Sequence, residues 1–302
     1  IYTGEDTLSL HDALPICYYA SAIPAAQATF DAKNALQDGT NGGWNLAETT
    51  VGQLAFYVQD EWNINDNFKL IYGLRADKPL YFNTSSLIQK FIDTDNSEGY
   101  VPTINYYNPK DGSTVNFDST KLPGNGLLWS PRAGFNWDVN GNKVTQLRGG
   151  TGIFTGKLPF VWIGNQVGGV DPFFYEVVNN DFKFPQVWRT SLGIDHKFEN
   201  DYILTVDMSY NKDINAVHVQ DWGLKTPTSQ LNGVDNRPIY GSNDYGTWSE
   251  YGFPARAHAY VLTNSKKGSA FNTSVKVQKT FDNGLFASLA YNYLKSQDVN
   301  SI

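Results

Sequence analysis

Cysteine is all but absent from this chain: Cys17 is the only one among 302 residues, so no intrachain disulfide can form and no redox chemistry is implied. Long apolar runs are missing as well. No stretch of about 18 or more apolar residues occurs, which excludes a transmembrane helix but leaves open strands that cross a bilayer. Charged residues make up only 18% of the chain, and the net charge of −7 comes with scattered Lys and Arg, so nucleic acid is not an expected partner. Catalytic patterns are also wanting. The four histidines, His11, His196, His218 and His258, lack the HExxH spacing of a metalloprotease, and no GxSxG elbow occurs. Asp60 and Glu61 are adjacent and therefore point to opposite faces of a strand, where they cannot act as an acid/base pair. The expectation is a protein that is not an enzyme and carries no cofactor or metal.

What the chain does have is a period of two. In VGQLAFYVQDEWNI, Leu54, Phe56, Val58, Trp62 and Ile64 share one face, and Gln53, Tyr57, Gln59, Glu61 and Asn63 the other. After the polar turn at Asn65, Asp66 and Asn67, the pattern returns with Phe68, Leu70, Tyr72, Leu74 and Ala76 opposite Lys69, Gly73, Arg75 and Asp77. Trp62 and Phe68 bracket the turn, where the aromatic girdle of a transmembrane barrel would lie. The device recurs around Asn140 to Asn142, Glu199 to Asp201 and Asp282 to Gly284, with flanking strands of roughly 10 residues. Strands are predicted near 51–64, 68–77, 132–139, 143–155, 186–198, 202–211, 270–281 and 285–295, as one antiparallel meander, with two more around Ala20 to Phe30 and Ala257 to Asn264.

The connections between hairpins, roughly Lys78 to Leu127, Gly156 to Pro185 and Lys212 to Gly268, are long, polar and rich in aromatics. Connections in a compact soluble domain run to about 4 to 6 residues, whereas outer-membrane barrels alternate short turns with long external loops. The fold class predicted is all-β, an antiparallel transmembrane β-barrel meander that is incomplete, with about 8 to 10 strands of a larger barrel. Leu54, Phe56, Leu70, Leu74, Leu204, Val206 and Leu289 are expected on the lipid-facing side, with Gln59, Arg75, Asp207 and Asn292 on the other.

Residues 1–17 stand apart. IYTGEDTLSLHDALPIC has no strand pattern and lacks the features of a signal peptide, and DTLSLHDALPI resembles the translated read-through of a sequencing-library adapter, so this segment is expected to be non-native. The remaining residues 18–302 form one barrel segment. LAFYVQDEWNINDNFKLIYGLRADKP, LLWSPRAGFNWDVNGNKVTQLRGGTGIFTGKLPFVWIGNQ and FKFPQVWRTSLGID resemble the barrel of TonB-dependent outer-membrane receptors, in particular the Oar-like branch of Bacteroidota and relatives. The resemblance implies a barrel of about 22 strands closed by a plug. It also implies residence in the cell outer membrane and energised uptake of a large nutrient such as an oligosaccharide, a peptide or a metal chelate. Its implied partners are outer-membrane lipid, TonB acting through the plug, and a surface lipoprotein. No plug and no TonB box is found in this sequence, and the chain is expected to be a fragment at both ends. The alternative is a small non-transporting outer-membrane barrel or a surface adhesion protein, since eight strands can close a barrel without a plug.

Candidate site residues fall into two groups. Phe160, Trp162, Trp222, Trp248 and Tyr251 in the long connections either offer stacking surfaces to a ligand or pack loop against loop. Arg75, Arg132, Arg148 and Arg189 fall on polar faces, and placing them against lipid would cost roughly 2 to 4 kcal/mol each at the midplane, so they are expected to line the lumen and to contact a plug. Asp93, Asp95, Ser97 and Gly99 mimic the first half of a calcium loop, but the glycine comes one place late and Ile104 stands at the twelfth position, so a solvated acidic loop is expected. Gly149, Gly150 and Gly152 in RGGTG lack the strand-to-helix setting of a dinucleotide fingerprint and are expected to keep a lumen-facing strand thin.

Overall fold

The structure is a computed structural model; it describes residues 50–94, 105–118, 120–157, 161–168, 174–241, 244, 246 and 258–299. In chain order these form β1 (Gly52–Asn65), β2 (Phe68–Leu80), α1 (Thr84–Thr94), β3 (Tyr106–Tyr107), β4 (Thr114–Val115), β5 (Leu128–Asp138), β6 (Thr145–Thr155), α2 (Val161–Gly168), β7 (Phe174–Val178), β8 (Gln186–Lys197), β9 (Tyr202–Asp213), β10 (Ala216–Asp221), β11 (Ser229–Gln230), β12 (Pro238–Ile239), β13 (His258–Ser265), β14 (Ser269–Thr280) and β15 (Phe286–Gln297). Eight of the strands make one antiparallel sheet in the order β1-β2-β5-β6-β8-β9-β14-β15. These are the eight wall strands predicted from the period of two. Each hairpin's two strands are neighbours and every pairing is antiparallel, so the four short turns share one rim and the three long connections leave from the other.

Local chemistry fixes the turns. The Asn65 side-chain oxygen accepts hydrogen bonds from the backbone N–H groups of Asn67 and Phe68, at 2.9 and 2.8 Å, closing the first hairpin. In the second, Asp138 accepts from the Lys143 N–H and Asn142 from the Val144 N–H. In the fourth, Gly284 takes φ +82, a left-handed conformation that costs glycine little, and Asn283 accepts from the Leu285 N–H.

Pairing register separates the two faces of the wall. On one face Trp62, Leu70, Phe135, Leu192 and Met208 fall in one cross-strand row, and Val206, Val275 and Tyr291 continue another. None of Leu54, Phe56, Leu70, Leu74, Leu204, Val206 and Leu289 is buried, and Phe56 and Leu289 are 67% and 79% exposed. A continuous apolar face of this size would be a liability in water and is the cover that hydrocarbon requires. Rings flank the band. Near the turn rim Phe68 stacks on Phe135 at 6.1 Å and meets Trp137 edge-on at 6.2 Å, and toward the other rim Trp188 meets Tyr210 edge-on at 5.9 Å. Charge interrupts the stripe at a few points: Asp60 lies on the apolar face, where the Tyr72 hydroxyl donates to it at 2.8 Å, and Lys78, Lys212, Lys279 and Lys295 share that face nearer the strand ends.

A second structure rises from the long connections. Its core joins Leu128, at the start of β5, with Ile163, Val178, Phe182, Phe184 and Leu262, and packs against Val51, Tyr81, Leu122, Trp162, Val217 and Val219. Burying each such large side chain contributes about 1.5 to 3 kcal/mol. Buried Gln166 on α2 is satisfied on both ends, accepting from the Val178 N–H at 2.9 Å and donating to the Lys121 carbonyl at 3.2 Å. We call this assembly the cap. The strand predicted around Ala257 to Asn264 exists as β13, but it belongs to the cap and not to the wall: it pairs antiparallel with β10 and parallel with β7. The reason is visible in its burial. Val261, Leu262 and Thr263 are buried in succession, which fits a strand covered on both faces, whereas a wall strand alternates. The other additional strand, around Ala20 to Phe30, lies outside the described residues.

Candidate functional site

The polar face of the wall concentrates the charged chemistry. All four candidate arginines stand on it, because Arg75, Arg132, Arg148 and Arg189 fall in the registers that alternate with the apolar rows. Arg75 donates through Nε and Nη2 to Asp77, both at 2.8 Å, and the Gln53 amide adds a third bond at 2.8 Å, so the fully buried Asp77 is saturated. Arg148 reaches across two strands. It pairs with Asp195 on β8 and with Asp207 on β9, the latter at 2.6 Å, while Thr205 donates to Asp195 at 2.7 Å. Gly193 makes this crossing possible, since a Cβ there would come within 2.6 Å of Asp207 Oδ1 and 2.9 Å of the Arg148 guanidinium.

The other two arginines have no carboxylate partner among the described residues. Arg189 donates from Nε to the Asn211 side-chain oxygen at 2.7 Å, and the Arg132 Nε is buried without a hydrogen-bond partner. Both sit in one cross-strand row that reads Gly73, Arg132, Gly152, Arg189, Asn211. The adjoining row, Ile71, Gly134, Gly150, Ser191, Ser209, contributes only small side chains beside them after Ile71. Gly150 and Gly152 thus lie on the polar face, as expected. Gly149 does not: it faces the apolar side, where a Cβ would come within 2.6 Å of the Phe135 ring.

The aromatic candidates separate. Trp222 is buried, with its ring 5.5 Å from Phe117, which in turn meets Tyr106 at 4.9 Å, so its faces are taken up by packing and it offers no stacking surface in this arrangement. Its backbone accepts from the Tyr107 N–H and donates to the Ala259 carbonyl, at 2.7 Å each, tying β3 to β13. Trp162 is half-buried against the cap core. Phe160, Trp248 and Tyr251 lie outside the described residues, as do Asp95, Ser97 and Gly99 of the acidic segment; Asp93 belongs to α1 and not to a loop. Sequence reasoning did not single out Tyr81 after β2, whose phenol is buried without a hydrogen-bond partner among the described residues and pushed up by burial to about 12.

The family model described as an outer membrane beta barrel domain matches residues 24–174, half of the chain. A comparison with curated proteins finds no match. Among solved structures, a ferric enterobactin receptor of Pseudomonas aeruginosa in complex with enterobactin is 12% identical, with a TM-score of 0.48 over 88% of this chain and 30% of that one. The outer membrane transporter YddB of Escherichia coli is 12% identical, with a TM-score of 0.46 over 82% and 24% of the two chains. The siderophore receptor PirA of Pseudomonas aeruginosa is 14% identical, with a TM-score of 0.44 over 82% and 34%. The chain spans about a quarter to a third of the length of these solved proteins.

Proposed function

The chain belongs to the outer membrane β-barrel domain family and resides in the cell outer membrane, and from that premise we propose that it forms part of the wall and external cap of a TonB-dependent importer. The observation that carries this reading is the edge at each end of the sheet: among the described residues β1 and β15 each pair with one wall strand only, and not with each other. Unpaired N–H and C=O groups in hydrocarbon cost several kcal/mol each, so the eight strands make sense as an arc of a larger closed wall. The three segments that resemble TonB-dependent receptors lie along this arc, and the long connections build a packed cap on the rim away from the turns.

In this role the apolar face meets lipid, the polar face with its four arginines lines the lumen, and a plug carrying the TonB contact stands against that lining. The cargo class is a large nutrient, an oligosaccharide, a peptide or a metal chelate, recognised from the cap side. The reading assigns the chain no catalytic step.

Refolding residues 18–302 into lipid vesicles tests it. The expected outcome is aggregated or misassembled protein with no heat-modifiable band on a detergent gel. A compact, heat-modifiable monomer would show that the eight strands close on themselves, and would replace the importer reading with that of a small barrel.

A further inference from the structure

Two of the four arginines on the polar face are neutralised inside the wall, Arg75 by Asp77 and Arg148 by Asp195 and Asp207. The remaining two are neighbours. Arg132 is the fifth residue of β5 and Arg189 the fourth of β8, so both stand close to the cap rim, in one cross-strand row with only Gly152 between them. Adjacent strands lie about 4.8 Å apart, which sets the two backbones roughly 10 Å from each other, within reach of one ligand for side chains of arginine's length. Gly152 contributes no side chain to the interval. Gly152 lies tight beneath Arg132, where a Cβ would come within 2.8 Å of the Arg132 Cβ, and Gly134, Gly150, Ser191 and Ser209 line the next row.

Both arginines carry their charge with no carboxylate partner among the described residues: the Arg132 Nε is buried with no acceptor there, and the Arg189 Nε is held by the neutral side chain of Asn211 on the side away from Gly152. A small oxyanion with several oxygens, set over Gly152 and bridging the guanidinium ends beyond the two Nε atoms, supplies both arginines with the anionic partner that the wall does not give them. We propose that Arg132, Gly152 and Arg189 form an oxyanion site on the lumen side of the wall, just inside the cap. The chemistry is that of a phosphate or a carboxylate-bearing solute. The proposal rests on the polar face being the lumen lining, and it adds a charge preference that the importer reading does not contain.

The test uses the full-length protein encoded by this gene, folded in detergent micelles, with equilibrium dialysis against labelled inorganic phosphate in one arm and labelled succinate in the other. Saturable binding in at least one arm is expected, and the arm identifies which oxyanion the site takes. Arg132→Gln, Arg189→Gln and Gly152→Val are each expected to weaken that binding about ten-fold or more. Lys276→Gln, which removes a cation on the same face four wall strands from β5, is expected to leave it unchanged. Heat-modifiability of every variant checks that the wall has formed. Absence of saturable binding in a heat-modifiable wild-type protein overturns the site while leaving the importer reading intact; so does equal binding by the arginine variants, or equal loss in Lys276→Gln. A closed small barrel from residues 18–302 would instead overturn the importer reading and leave binding to this row standing.

Discussion

Wall and cap spend the same kinds of side chain in opposite ways. In the wall Phe56, Val58 and Leu289 point outward and remain exposed, while in the cap Ile163, Phe182, Phe184 and Leu262 are withdrawn from solvent. The wall's cohesion comes from its hydrogen-bonded ladder and from the lipid that covers it. The cap must make its own interior, as a water-soluble domain does. The difference teaches that apolar residues in one chain can serve two solvents, and that their spacing tells which: alternate residues in the wall, consecutive ones in β13.

That contrast can be broken most severely from the cap side. Phe182→Ala is expected to cost about 3 to 5 kcal/mol, the usual range for emptying a buried aromatic position, and to open the cap to limited proteolysis while the wall stays heat-modifiable. Simultaneous loss of both signals would show that cap and wall fold as one unit. From the wall side, Val206→Arg places a charge on the lipid face and is expected to cost roughly 2 to 4 kcal/mol near the midplane. Urea titration of the vesicle-folded full-length protein measures it, and a neutral result would mean that this face does not meet hydrocarbon.

The smallest effect concerns alkali and sharpens the contrast without breaking it. Burial raises the Tyr81 phenol to about 12, above its ordinary value of about 10, so the unfolded chain releases this proton before the folded one does. Stability from the neutral phenol is therefore complete below pH 10 and falls as pH rises toward 12, at about 1.4 kcal/mol per pH unit. Protease resistance of the cap at pH 8 and pH 11 reads this, and Tyr81→Phe should flatten the difference. A Tyr81→Phe protein that weakens just as steeply would place the alkaline sensitivity elsewhere.

The wall was legible in the sequence because each strand announces itself: an alternating stripe and an Asn, Asp or Gly turn are local signals, and they place β8 at Gln186–Lys197 against a predicted 186–198. The side of each arginine followed from the same parity. Its partners did not. Arg148 lies 47 residues from Asp195 and 59 from Asp207, and only the pairing register brings them together across Gly193. Asp60 stands on the apolar stripe against the pattern for a related reason, since its tolerance there depends on Tyr72 from the neighbouring strand. The cap was least legible. Its core residues come from separate connections, so no window of sequence contains the pattern, and Trp222, prominent as a ligand candidate, has its ring occupied by Phe117 from another connection.

The parallel pairing of β7 with β13 bears on the order in which the molecule is made. Tyr175 meets Ala259 and Val177 meets Val261, and between them in the chain lie β8 and β9, both wall strands. Contacts so distant in sequence form slowly, because the intervening chain must be ordered before they contribute anything. The wall hairpins, each closed by a turn of a few residues, form first, and the insertion of β8 and β9 brings β7 and β13 within reach of each other. Sequence separation therefore favours one order in time: the membrane-embedded arc first, the cap last.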